Sequence, residues 1–148
     1  MEERFETFTV LINRISRNIR KIKNQEMAAY NLRSAHVSCL YYIYSLESAT
    51  ATDLCERCEE DKATISRALE YLETNGFIAR DTESAKRYKS PILLTDRGLE
   101  AGKKIADKIN GVLDKISVSL KEEERVAFYR SLSIISESLE AVSKNSSK

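Results

Sequence analysis

The sequence has few residues that interrupt regular structure, since its 148 positions include one proline and four glycines. This scarcity favours long helices over many short strands. Three cysteines are an odd number and do not form a disulfide framework, which predicts a reducing, cytoplasmic setting. One histidine is too few to complete a four-ligand zinc site with a pair of cysteines, so we expect no bound metal and no cofactor.

Further absences in the sequence limit the possible classes of function. The longest apolar run, Leu40–Tyr44, is far too short to cross a bilayer, and Met1 leads into charged residues and not into a secretory signal. There is no glycine-rich phosphate loop, no Ser/His/Asp order and no pair of carboxylates that suggests a cleft, so we expect no enzyme activity. The net charge is only +1, so attraction to nucleic acid has to come from local basic clusters.

The most informative stretch runs from Thr50 to Arg97. It begins with a short helical pattern and a turn at Glu59–Asp61, and a second helix is predicted from Lys62 to Thr74. This second helix should have Asp61 as its N-cap and should stop at Asn75-Gly76. Its buried side is predicted to consist of Ile65, Ala68, Leu69 and Leu72.

Two short apolar segments, Phe77–Ala79 and Ile92–Leu94, follow this helix and flank a polar loop with a basic tip. Helix, turn, helix and hairpin in this order are typical of a winged helix-turn-helix, a module that reads duplex DNA. The second helix presents short and forked polar side chains that the major groove accepts, and cations on the loop reach phosphates or the minor groove. The predicted DNA-binding residues are Lys62, Ala63, Thr64, Ser66 and Arg67 on the helix and Lys86, Arg87 and Lys89 on the loop.

Long amphipathic helices are predicted on both sides of the winged module. Residues 3–29 carry a heptad-like apolar stripe. Two more long helices with such stripes follow the winged module, and Thr95 is the predicted N-cap of the first of them. The winged module is too small to cover three stripes, so we expect helices of a second chain to cover them. The predicted fold is one mainly α domain with a small β wing, in which residues 1–33 and 95–148 dimerise and residues 34–94 bind DNA.

A helix predicted from Ala35 to Leu46, with Ser34 as its N-cap, contains a dense run of tyrosines and the only histidine. Two interpretations of these side chains are open: they pack half-buried in the fold, or they line a small-molecule pocket. The pocket interpretation assigns ligand binding to His36, Tyr41, Tyr42 and Tyr44.

The motif Cys55-x-x-Cys58 suggests a metal or redox site. No second cysteine pair accompanies it, however, and small apolar side chains are needed where the next helix approaches. We therefore predict that both cysteines pack beside Leu54 in the core.

These patterns together resemble the MarR (multiple antibiotic resistance regulator) transcription factors over nearly the whole chain. The resembling motifs are Ala51-Thr52-Asp53-Leu54, Asp61–Arg67 with Leu72-Glu73-x-x-Gly76-Phe77-Ile78-x-Arg80, and Leu94-Thr95-x-x-Gly98. The resemblance implies a homodimer on a pseudo-palindromic operator in double-stranded DNA, with each recognition helix in a major groove and each wing beside it. It also implies release from DNA when a small aromatic acid binds, so the expected function is that of a cytoplasmic repressor.

Differences from typical family members narrow the predicted function. Family wings commonly show Asp-x-Arg, whereas Asp81 is well separated from Lys86-Arg87 here, and we predict that Arg87 is the residue in the minor groove. Redox-sensing members carry a reactive cysteine in the first helix, which this chain lacks, and this counts against peroxide sensing. The alternative function is a helical dimeric interaction module without DNA binding, which the nearly neutral net charge supports.

Overall fold

The computed structural model describes Arg4, residues 6–80 and residues 89–146. In chain order its elements are α1 (Leu11–Glu26), α2 (Ser34–Ser45), α3 (Ala51–Cys58), α4 (Lys62–Thr74), β1 (Ile78–Ala79), β2 (Leu93–Leu94), α5 (Asp96–Ser117) and α6 (Glu122–Ser146). This mainly helical architecture with a two-stranded antiparallel sheet confirms the predicted fold class. The chain divides into two compact units, residues 1–108 and residues 109–148.

The first helix is shorter and less regular than the predicted span of residues 3–29. A π-helical turn at Glu6–Val10 leads into α1, which ends at Glu26. The predicted end is wrong because the chain leaves helical geometry at Met27, which has a φ of −106° and is buried in the core. Apolar periodicity alone does not show where such a residue turns inward.

The break predicted between the first two helices is present, but the predicted N-cap of α2 is wrong. Asn31 adopts a left-handed φ of 59°, which asparagine tolerates better than most residues. Ser34 is the first residue of α2, and its N–H donates to Asn24 Oδ1 at 2.7 Å. Arg33 takes the cap position, and its N–H donates to His36 Nδ1 at 3.0 Å. A side chain of α1 therefore supplies an acceptor that the local sequence could not indicate.

The core of the first unit is built from α2, α3, α4 and the first half of α5, with the segments that join them. The predicted buried side of α4 is confirmed, since Ile65, Ala68, Leu69 and Leu72 are all buried. The largest fully buried side chains are Leu32, Leu40, Leu54, Ile65, Leu69, Leu72, Phe77 and Ile105. This packing leaves the polar side of α4 at the surface.

The wing begins as a short antiparallel ladder in which Ile78 pairs with Leu94. The second strand starts one residue later than predicted because the Ile92 N–H donates to Ala49 O, at 2.9 Å, and not to the first strand. Pro91, which has no N–H to donate, precedes that residue and lies outside the ladder, as expected. The loop that carries Lys86 and Arg87 lies outside the described residues.

The second unit consists of the last part of α5 and the whole of α6. The acidic first turn of α6 was predicted, and the Lys121 N–H donates to Glu124 Oε2 at 2.8 Å just before it. The large apolar side chains that α6 exposes include Val126, Phe128, Tyr129, Ile134, Leu139 and Val142. Among the helices in the described ranges, none is both long and apolar enough to cross a membrane.

Candidate nucleic-acid interface

The N-terminal end of α4 is fixed by Asp61, as predicted. The Thr64 N–H donates to Asp61 Oδ1 at 2.7 Å, and this hydrogen bond holds the pKa of the Asp61 carboxyl below its usual value. The Ile65 N–H donates to the Asp61 carbonyl at 3.1 Å and begins the helical ladder. A carboxylate at this end also matches the positive pole of the helix.

The exposed side of the first half of α4 carries the predicted DNA-binding side chains. Lys62, Ala63 and Arg67 are exposed, and Thr64 and Ser66 are half-buried. Arg67 Nη2 donates to Thr64 Oγ1 at 3.3 Å, which directs the guanidinium toward the N-terminal end of the helix. Short side chains around one forked cation have the size and the donors that the major groove accepts.

The helix before α4 begins with a reciprocal capping box. The Thr50 N–H donates to Asp53 Oδ2 at 2.9 Å, and the Asp53 N–H donates to Thr50 Oγ1 at 3.2 Å. The hydrogen bond from the Thr50 amide holds the pKa of Asp53 below its usual value. At its other end α3 stops at Cys58, and Glu59 reverses the chain with a left-handed φ of 54°. The turn into α4 therefore lies between two helices whose starting points are both capped.

The C-terminal end of α4 is held by Arg97, a residue that no sequence motif singled out. Arg97 Nη1 donates to Asn75 O at 2.7 Å, and its guanidinium lies 4.3 Å from the centre of the Phe77 ring. Beside it, Thr95 Oγ1 donates to Gly76 O at 2.6 Å. The only sequence signal for this anchor is that an arginine stands two residues after Thr95, the predicted N-cap of α5.

Tyr71, which the sequence pattern also left unassigned, anchors the flank of α4. Its hydroxyl donates to Asn31 O at 2.8 Å, across the break between α1 and α2. Its ring stacks on His36 with the centroids 4.3 Å apart and the planes at 13°. These contacts connect the candidate recognition helix to α2 and to the segment that precedes it.

The four predicted ligand-binding side chains have different neighbours. His36 stacks on α4, and burial lowers the pKa of its imidazole. Tyr41 and Tyr42 meet edge to face at 5.1 Å, and burial raises the pKa of Tyr42. Tyr44 lies against Gly102 of α5. The structure thus brings Tyr41 and Tyr42 together and gives His36 and Tyr44 partners on other helices.

A cavity of about 430 Å³ opens beside Tyr30 and Lys104 in the first unit. The Lys104 ammonium donates to the Tyr30 hydroxyl at 2.8 Å and pairs with Glu100 at 3.1 Å. The residues that line the cavity are Met27, Tyr30, Lys104, Asp107 and Lys108, so none of the four predicted ligand-binding residues lines it.

The cysteines are free thiols, and their placement differs from the prediction. Leu54 is fully buried, but Cys55 and Cys58 are only half-buried. The prediction is wrong because α3 ends at Cys58, and its last turn reaches the surface. The buried cysteine is Cys39 of α2. No group of three or more His, Cys, Asp or Glu side chains in the described part of the chain could hold a metal ion.

The predicted cations of the wing are described only in part. Lys89 is exposed where the chain returns toward β2, whereas Lys86 and Arg87 lie outside the described residues. Contact between these three side chains and DNA stays a prediction.

Comparison with known proteins relates this geometry to transcriptional regulators. The sequence profile of the MarR family matches residues 30–87. A Bacillus subtilis protein, described as the uncharacterized HTH-type transcriptional regulator YwoH, is 25% identical over 117 residues, which cover 79% of this chain and 85% of that protein.

Solved structures share the fold. MepR of Staphylococcus aureus, solved as a complex with DNA, is 21% identical and has a TM-score of 0.78, and the match covers 90% of this chain and 97% of that one. NMB1585, a MarR family regulator from Neisseria meningitidis, is 20% identical and has a TM-score of 0.80, with 96% of this chain and 98% of that one covered. At these identities the likeness shows a common winged-helix architecture.

Proposed function

Because the chain belongs to the MarR family of transcriptional regulators, we propose that it binds a pseudo-palindromic DNA operator as a homodimer and represses transcription. The observation that carries the proposal is the exposed side of α4. There, Lys62 and Arg67 flank short side chains on a helix that is capped at Asp61 and held at its far end by Arg97.

The N-terminal half of α4 is the part we assign to the major groove. Arg97 and Tyr71 hold the other end and the flank of α4, so the helix is ordered in the free protein. An ordered helix loses less conformational freedom on binding than a mobile one. The fork of Arg67 suits two parallel hydrogen bonds to guanine O6 and N7, or contact with a phosphate.

The wing has a mainly electrostatic role in this proposal. Lys86, Arg87 and Lys89 lie on a loop where no helix aims them, so phosphates and the minor groove are their expected contacts. Because the net charge of the chain is only +1, such local clusters have to supply the attraction to DNA. We assign the minor groove to Arg87.

The homodimer is proposed from apolar side chains that the chain leaves exposed. On α1, Leu11, Ile12, Ile15 and Ile19 are 41–51% exposed and form a continuous stripe. Exposed apolar stripes of this kind mark interaction surfaces. Helix α6 also exposes a series of large apolar side chains. A two-fold dimer built on these faces would present two recognition helices about 34 Å apart, one turn of DNA.

Fluorescence anisotropy on duplexes selected from a random library tests the proposal. Affinity for a selected duplex should fall as salt rises, because binding releases counterions from the phosphates. Arg87→Ala should reduce the slope of log affinity against log salt by about 1 for each phosphate that the variant no longer neutralises, whereas Arg14→Ala on α1 should leave the slope unchanged. Absence of duplex binding at low salt would favour the alternative, a helical dimeric interaction module without DNA binding.

We also propose that a small aromatic acid lowers operator affinity without dissociating the dimer. The cavity beside Tyr30 offers a ring and a nearby ammonium, 5.4 Å from the ring centre, as partners for such a ligand. Assignment of the ligand to His36, Tyr41, Tyr42 and Tyr44 stays a prediction. Such an acid can change operator affinity only to the extent that it binds the DNA-binding conformation of the protein and the released conformation with different affinities.

Titration of the protein–operator complex with salicylate and benzoate separates the two locations. Lys104→Gln should abolish the effect of the acid if it binds in the cavity, and Tyr42→Phe should weaken it if the acid binds among the tyrosines of α2. Operator affinity that no aromatic acid changes would contradict control by such ligands but not DNA binding itself.

A further inference from the structure

The only histidine of the chain, His36, lies where the second helix begins. Arg33, three residues before it, is the N-cap of α2, and the Arg33 N–H donates to His36 Nδ1 at 3.0 Å. His36 is therefore the third helical residue, the position from which a glutamate or glutamine side chain completes a capping box. Here an imidazole nitrogen takes the place of the carboxylate or amide oxygen.

A second acceptor supports the same helix end, but it does not titrate. The Ser34 N–H donates to Asn24 Oδ1 of α1 at 2.7 Å. An amide oxygen accepts a hydrogen bond at acid and neutral pH alike, whereas an imidazole nitrogen accepts one only while it is unprotonated. The capping of α2 thus depends on the charge state of one side chain, His36.

The imidazole also lies against the candidate recognition helix. Its ring stacks on that of Tyr71 of α4, with the centroids 4.3 Å apart. The Tyr71 hydroxyl donates to Asn31 O at 2.8 Å, two residues before the N-cap of α2. Tyr71 lies one turn after Arg67 on the same side of α4. One tyrosine therefore joins the start of α2 to the side of α4 that we assign to the major groove.

We propose that His36 is a positioning residue for DNA recognition, whose neutral imidazole holds the start of α2 against Tyr71 and whose protonation weakens operator binding. This inference rests on the proposed function. An imidazolium has no lone pair at Nδ1, so the Arg33 N–H loses its acceptor when the ring is protonated. The Asn31 carbonyl lies two residues before that amide, so the anchor of the Tyr71 hydroxyl moves with it.

The surroundings of the imidazole disfavour its protonated form. Arg33 is the charged group whose field acts on the ring, and Tyr71 is the titratable side chain of α4 that packs against it. From α1, Lys23 Nζ donates to Ser38 Oγ and brings another cation to the first turns of α2. The positive pole of α2 acts in the same direction. Burial and the nearby charge of Arg33 accordingly hold the pKa of His36 below its ordinary value.

The direction of the pH effect follows from this preference for the neutral ring. A conformation that lowers the pKa of a group is favoured above that pKa, and the advantage is lost as the group takes up its proton. Operator affinity should be greatest above about pH 7 and should fall about fivefold toward about pH 5, the size expected when one capping interaction is lost. The carboxyls of Asp53 and Asp61, whose pKa values lie below the usual range, stay ionised over this interval.

Fluorescence anisotropy on the selected duplex, at constant ionic strength between about pH 7.5 and about pH 5, tests the proposal. His36→Gln keeps an acceptor at the third helical position and cannot be protonated, so its operator affinity should not change with pH. Asn24→Ala is the matched control, because it removes the other acceptor and should keep the pH dependence of the wild type. Equal pH dependence in the wild type and in His36→Gln would overturn the proposal.

Far-UV circular dichroism over the same pH range separates a local change from acid unfolding. The wild type should keep its helical signal while its operator affinity falls. A helical signal that disappears in step with the affinity would show general unfolding and would also overturn the proposal.

Nuclear magnetic resonance of the single histidine tests the capping without DNA. A long-range proton–nitrogen correlation spectrum should show an unprotonated Nδ1 at neutral pH, with the ring proton on Nε2. As the pH falls, the amide resonance of Arg33 should shift with the same midpoint as the ring of His36. An Arg33 amide that does not respond to the titration of the ring would contradict the proposed capping.

Tyr71→Phe tests the link to the recognition helix. The variant keeps the stacked ring and removes the hydroxyl that donates to Asn31 O. Its operator affinity at neutral pH should fall toward that of the wild type in acid, and little pH dependence should remain. A pH dependence as large as that of the wild type would show that His36 does not act through Tyr71 and would overturn the positioning role.

The outcomes separate this inference from the proposed function. Operator binding that does not change with pH would contradict the inference and leave the proposed function intact. A protein that binds no duplex at any pH would contradict the proposed function, and the response of the Arg33 amide would still decide whether His36 caps α2.

Discussion

At the residue scale, Arg67 is the side chain on which sequence-specific binding should depend most. Its guanidinium is exposed and directed along α4 by the hydrogen bond to Thr64. Arg67→Ala should weaken operator binding by about 1–3 kcal/mol and leave the dimer intact. Fluorescence anisotropy at a fixed salt concentration measures this weakening. Arg14→Ala is the control, because it removes an exposed arginine of α1 that lies outside the proposed DNA interface. Binding as tight as that of the wild type would mean that α4 is not the recognition helix.

The capping box of α3 should make stability depend on pH. Hydrogen bonds from Thr50 hold the folded-state pKa of Asp53 below the ordinary value of about 3.9. A carboxyl with a depressed pKa stabilises the fold above its unfolded-state pKa, and this stabilisation is lost as the pH falls through the folded-state pKa. The wild type should therefore be more stable than Asp53→Asn at neutral pH, and the difference should shrink below about pH 4.

Urea unfolding of both proteins at a series of pH values measures this difference. A stability difference that stays constant from neutral to acid pH would show that Asp53 acts without its charge.

Residues whose partners lie close in the sequence were predictable, and residues with distant partners were not. Asp61 meets the Thr64 amide three positions on, so the N-cap of α4 was clear from the sequence alone. Arg97 meets a carbonyl 22 positions earlier, and Tyr71 meets one 40 positions earlier.

At the scale of elements, α4 was predicted with its observed bounds because three independent signals coincide there. An N-cap, a buried stripe and an asparagine-glycine stop all indicate Lys62–Thr74. The first helix was predicted too long because only its apolar period was available, and Met27 turns into the core without a local signal. The second strand of the wing starts late because the Ile92 N–H donates to Ala49 O, in the segment before α3.

Two glycines of α5 should respond in opposite ways to the same substitution. A Cβ at Gly98 would lie 1.9 Å from the Phe77 carbonyl oxygen, so Gly98→Ala has to push α5 away from Phe77, the residue before β1. Overpacking of this kind typically costs about 1–3 kcal/mol. A Cβ at Gly111 has no heavy atom within 4 Å, and Gly111→Ala should stabilise the protein by about 0.5–1 kcal/mol.

Equilibrium unfolding in urea compares both variants with the wild type. Gly98→Ala with unchanged stability would contradict the close approach of the helix to the wing. A destabilised Gly111→Ala would indicate that another chain occupies the space beside this glycine.

At the scale of the whole molecule, the sequence indicated apolar stripes on several helices but not what covers them. The period of a stripe depends on local spacing, whereas its partner depends on surfaces far away in sequence or in another chain. In the first unit the stripe of α1 stays exposed, with Ile15 at 51%. In the second unit the described part of α6 has no buried residue. Both observations favour association of two chains.

Ile15→Glu should convert the proposed dimer into a monomer, because it places a charge in the middle of the α1 stripe. Burial of an unpaired charge in an apolar interface is strongly unfavourable. Leu93→Glu is the matched control, since Leu93 is 63% exposed on the wing, outside the regions that we expect to dimerise. Sedimentation equilibrium at micromolar concentration should show a dimer for the wild type and for Leu93→Glu, and a monomer for Ile15→Glu. Loss of the dimer should also lower operator affinity, because a single recognition helix engages only one half-site. A wild-type protein that sediments as a stable monomer would contradict the proposed architecture, even if it binds DNA.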